Sequence, residues 1–98
     1  MPYIKKEDRL RLEKDILELG SKIKTEGELN YCFTMLALIF MKSQVMNYSL
    51  LNKVVGVFEC AKNEFYRRFV VPYENEKIKE NGDIIDEDED FLSWLNKR

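Results

Sequence analysis

The chain has 98 residues, 45% hydrophobic and 35% charged, with a formal net charge of −2 and no histidine. That length gives one domain, burying somewhat above ~60% of its unfolded surface in a modest core. The absence of histidine excludes Ser-His-Asp and Cys-His nucleophile pairs, imidazole general bases and every His-containing zinc site.

Two cysteines cannot build a four-thiolate metal site, and the four glycines are isolated, so no loop cradles a phosphate. No cofactor, metal site or catalytic residue is expected, and the reading is of a non-enzyme. The charge is split. Residues 1–82 carry fourteen Lys and Arg against twelve Asp and Glu, and the tail, residues 83–98, carries six acids and two bases. A body this close to neutral lacks the electrostatic footprint of a nucleic-acid binder.

Met1 to Ile4 forms a short arm with Tyr3 and Ile4 as its apolar surface. It packs on the domain edge or reaches a neighbouring copy. Lys6 to about Lys24 reads as the first helix, with Leu12, Ile16, Leu19 and Ile23 as its stripe and Leu10 and Leu17 widening it. Thr25-Glu26-Gly27 breaks the pattern, and Gly27 suits a left-handed helix stop. The second helix is expected from about Glu28 to Lys42. From Cys32 to Met41 it is apolar all round except for Thr34. Such a helix is central in a core or in an oligomer. It is too short for a membrane span, which needs about 20 apolar residues.

Ser43 to Tyr48 is a connection, with Asn47 or Ser49 as the cap of a third helix. That helix is expected to run to about Val70. Leu51, Val54, Val55, Phe58, Phe65 and Phe69 share one side of it. Asn52, Glu59 and Tyr66 are seven apart and form a polar stripe along the border. Lys62 lies within reach of Glu59 and Tyr66. Two readings of this stripe stand. One is a helix flank whose polar tips satisfy each other. The other is a half-buried constellation that binds an anion or closes a homo-oligomer. For a nucleotide-like ligand, rings would stack on bases while cations meet phosphates. The candidate binding residues are Tyr31, Asn52, Glu59, Lys62, Tyr66, Arg67, Arg68 and Tyr73.

Pro72 should push Val71 away from helical angles, kink or break the helix there, and open a short fourth helix, Tyr73 to Glu80, which Asn81-Gly82 ends. Asp83 to Asp90 holds six carboxylates and reads as a solvated linker, since it lacks the glycine and spacing of a calcium loop. Phe91, Leu92, Trp94 and Leu95 follow at helical spacing, as a helix docking in cis or a hook for a partner protein. Cys32 and Cys60 read as free thiols in a reducing cytoplasm, with a disulfide between them left open. The amino terminus turns charged at Lys5, which argues against a signal peptide.

Several blocks carry a resemblance: Met1-Pro2-Tyr3-Ile4, Gly27-Glu28-Leu29-Asn30-Tyr31, Leu51-Asn52, Gly56-Val57-Phe58-Glu59-Cys60, Glu64-Phe65-Tyr66-Arg67-Arg68, Pro72-Tyr73-Glu74 and Asn81-Gly82-Asp83. In this order they resemble a family of short uncharacterised proteins encoded by phages and bacteria, over Met1 to about Asp83. The resemblance implies a compact helical unit and a viral origin, and it carries over no catalytic residue. The residues therefore predict an all-α fold of three main helices, a short fourth helix after Pro72 and an acidic tail. The expected partner is a second copy of the chain. A small anionic ligand is the further expectation, with an adaptor or inhibitor of a host protein, using Phe91–Leu95, as the alternative.

Overall fold

A computed structural model describes residues 4–85 and 89–97. The fold is all-α, with no strand among the described residues. The chain divides inside its third helix, after Phe58, into two compact units.

In the first unit, α1 spans Lys6–Lys22 and α2 spans Glu26–Lys42, while α3 begins at Tyr48. Thr25 starts α2: its Oγ1 accepts the Glu28 N–H at 3.1 Å, and Glu28 Oε1 accepts the Lys24 N–H at 2.6 Å. The first bond satisfies one of the amide donors that a helix start leaves unpaired, and the second pairs the amide of the residue just before the cap. This start corrects the reading of Gly27 as a helix stop. Gly27 lies inside α2, and the positive-φ glycine is Gly82. At the next junction, Asn47 Oδ1 accepts the Leu50 N–H at 2.8 Å, so Asn47 rather than Ser49 caps α3.

That cap places Leu50 in the first turn of α3, against the end of α2. Among the described residues, the buried side chains are Met41, Leu50 and Val54, with Ala37 packed on them. The expected apolar side of α3 is therefore only partly used. Leu51, Val55 and Phe58 stay exposed, and Leu50, outside that expected set, is buried. The stripe of α1 is open too: Leu12 and Ile16 are exposed, and Leu19 and Ile23 are half-buried. Ile4 is exposed, and Tyr3 lies outside the described residues.

In the second unit α3 ends at Phe65, and a π-helical segment, Tyr66–Val70, leads into α4, Val71–Asn81. Pro72 explains the segment. Its nitrogen cannot donate, and its ring would clash with the carbonyl four residues back, at Arg68. The wider turn relieves that clash. The Val71 N–H bonds to the Tyr66 carbonyl, a five-residue step. Val71 accordingly keeps helical angles, φ −60° and ψ −48°, which corrects the expectation for that residue; of the kink or break expected at Pro72, the break is absent and the chain passes through a widened but continuous turn. Gly82, at φ +83°, ends α4 and donates its N–H to the Ile78 carbonyl at 2.8 Å. A last helix, α5, spans Phe91–Leu95 and is capped by Asp90, whose Oδ1 accepts the Ser93 N–H at 2.6 Å. That bond holds the Asp90 carboxyl below its ordinary pKa. The centre of the acidic linker, residues 86–88, lies outside the described residues.

Candidate functional site

The chemistry-bearing residues gather around the π-helical segment. A regular α-helix would set Tyr66 and Glu74 about 80° apart around the axis. The π turn rotates less per residue, which brings the two onto one side. Tyr66 Oη then donates to Glu74 Oε1 at 2.8 Å. The bond and the charge of Glu74 raise the Tyr66 phenol above its ordinary pKa.

Glu64 holds both arginines. Arg67 Nη2 lies 2.8 Å from Glu64 Oε2, and Arg68 Nη1 lies 3.1 Å from Glu64 Oε1. The Arg68 hydrogen bond is the main cause that holds the Glu64 carboxyl below its ordinary value of 4.5; partial burial opposes it, and the Arg67 charge adds to it. Two rings lie beside Arg68. Phe65 and Phe69 meet in a tilted pair at 5.2 Å between centroids and 52° between planes, and the Arg68 guanidinium lies 6.0 Å from the Phe69 centroid. On α4 the Lys77 ammonium lies 5.6 Å from the Tyr73 centroid.

Some of the expected constellation is not assembled. Lys62 pairs with Glu59 at 3.0 Å, on largely exposed side chains, while Tyr66 turns away to Glu74. Such an exposed pair contributes little. Tyr31 and Asn52 belong to the first unit, both exposed on their helices. Arg67, Arg68, Tyr66 and Tyr73 lie on the π segment and α4 with their heads accessible. The organising carboxylates, Glu64 and Glu74, were absent from the expected set. Glu64 could have been found in the sequence, since it precedes Arg67 and Arg68 by three and four residues.

The family model described as a domain of unknown function (DUF6899) matches residues 1–84. The chain belongs to this family. The DUF6899 match runs through both units and stops at the start of the acidic tail, so it includes the π segment and α4 but not α5. No curated protein and no solved structure matches the chain.

Cys32 and Cys60 are free thiols, the first half-buried and the second exposed. No helix among the described residues is long and apolar enough to cross a membrane.

The Glu64 cluster predicts a pH dependence. A carboxyl whose folded pKa is depressed adds stability above its unfolded value, and that stability disappears as pH falls through the folded pKa. The melting temperature should therefore drop on acidification below pH 4.5, the ordinary value for Glu64. In Glu64→Gln that drop should be smaller, with the difference shrinking in high salt. Melts from pH 7 to about pH 3 check this, and identical acid profiles would contradict it.

Proposed function

We propose that the protein is a non-enzymatic binding protein of phage or bacterial type that works in the cytoplasm as a homo-oligomer. The observation that carries this reading is the surface left open. The chain exposes 9286 Å². Two separate compact bodies sharing its mass would together expose about 7,000 Å² by the scaling of folded surface with mass. The surplus, about 2,000 Å² per chain, matches what one partner contributes to a large obligate interface. Much of the open surface is apolar, including Ile16 and Leu17 on α1, Phe33, Ile39 and Phe40 on α2, and Val55 and Val57 on α3. Self-association is the direct way to hide it.

The ligand in this reading is small, anionic and nucleotide-like, and it sits against the π segment. Arg67 and Arg68 meet its phosphate by displacing Glu64, while Tyr73 or Phe69 offers a stacking face. A second reading is an adaptor or inhibitor of a host protein that uses α5. It is favoured by Phe91 and Leu92, which are 64% and 67% exposed on a short amphipathic end.

Native mass spectrometry of the protein taken directly from cleared lysate tests both parts. The reading expects a multiple of the chain mass, with a retained small anion or a nucleotide-dependent rise in melting temperature that Arg67→Ala/Arg68→Ala removes. A bare single chain overturns it. A bare oligomer whose melt no nucleotide shifts removes the ligand and leaves the α5 reading, which truncation before Phe91 then tests.

A further inference from the structure

The outer face of α2 has a pattern that specifies its own partner. Leu29, Phe33, Leu36 and Phe40 follow one another at steps of four, three and four, which sets them within about 60° of arc on one side of the helix. All four are open, at 41%, 52%, 54% and 53% exposure. The side of α2 that packs inside the chain carries Ala37 and Met41 and lies roughly 90° away, so the strip is separate from the core. A contiguous apolar strip of this kind exceeds the scattered apolar residues of an ordinary monomer surface.

The step order four, three, four reads the same from either end. An antiparallel copy placed across a two-fold axis between Thr34 and Met35 therefore sets Leu29 against the partner's Phe40, and Phe33 against the partner's Leu36. Each contact joins a ring to a branched aliphatic chain, so large and smaller side chains interdigitate. A two-fold interface requires this self-complementarity. A parallel copy would instead pair Phe33 with Phe33 and Leu36 with Leu36.

The helix ends agree with the antiparallel choice. The first turn of α2 carries Glu26 and Glu28, and the last carries Lys42. Antiparallel pairing sets each acidic end beside the partner's basic end and opposes the two helix dipoles.

We infer that α2 pairs antiparallel with α2 of a second copy of this chain, through Leu29, Phe33, Leu36 and Phe40. This rests on the self-association reading and names the surface that performs it.

The test uses two full-length variants, Phe33→Lys and Leu36→Glu, alone and mixed. Alone, each variant buries two uncompensated charges per pair and should weaken association by about a hundredfold or more. Mixed in equal amounts, an antiparallel pair sets the lysine of one chain against the glutamate of the other and keeps the second Phe33-Leu36 contact and both Leu29-Phe40 contacts. Association should return in the mixture, as a heterodimer by native mass spectrometry. A variant that loses helix alone should regain it in the mixture by circular dichroism. A wild type that is monomeric overturns the self-association reading together with the pairing. Association that survives in both variants alone leaves self-association standing and overturns the α2 pairing. Dissociation without recovery on mixing overturns the antiparallel register.

Discussion

The melting temperature should rise with protein concentration, by about 3–5 °C for each tenfold increase. The reason is mass action. If the folded chain is stabilised by a second copy that the unfolded chain does not bind, concentration enters the folding equilibrium. A tenfold change corresponds to about 1.4 kcal/mol, and a folding unit of 150–250 residues shifts about 2–4 °C per kcal/mol. Calorimetry or circular dichroism over two decades of concentration reads this directly. A melting temperature that stays constant over that range would show a fold that stands alone. The strip variants of α2 should melt lower and lose the concentration dependence together.

The second large effect is expected at Leu50. Leu→Ala changes at buried sites cost about 2–5 kcal/mol, from lost transfer energy and the cavity left behind. Here the buried set described is Met41, Leu50 and Val54 alone, so little surrounding core can collapse to compensate. A pair of chains carries the change twice, so at about 2–4 °C per kcal/mol for a folding unit of 150–250 residues Leu50→Ala should lower the melting temperature by about 10 °C or more. Leu50→Met, which keeps the volume, should cost under about 1.5 kcal/mol. If Leu50→Ala melts within a degree or two of wild type, the contact between the end of α2 and the start of α3 is not what orders this unit.

Periodicity and end signals made the helices legible. The stripes of the first three helices predict their existence, and Asn47 and Gly82 mark a start and a stop that the structure uses. Gly27 misled because it follows Thr25, whose spacing to Glu28 is itself a capping signal that places the start of α2 two residues earlier than expected. The π segment has no residue signature. Pro72 announces that something must give, but whether the chain breaks or widens depends on packing and backbone energetics beyond one residue. The pairing of Tyr66 with Glu74 was hidden for the same reason, since eight residues apart is not a helical neighbour until the turn widens. The small core was hidden for a different reason. Leu51, Val55 and Phe58 lie on the side of α3 that periodicity marks as apolar, yet the pattern does not say whether the covering surface belongs to the same chain.

Sedimentation equilibrium of the purified full-length chain at micromolar concentration asks whether a second copy covers this surface. One chain has a mass of 11.7 kDa. The expected result is a helical species of at least twice that mass, falling toward one chain in the Phe33→Lys variant. A wild-type species of 11.7 kDa that is fully helical and concentration-independent would contradict it.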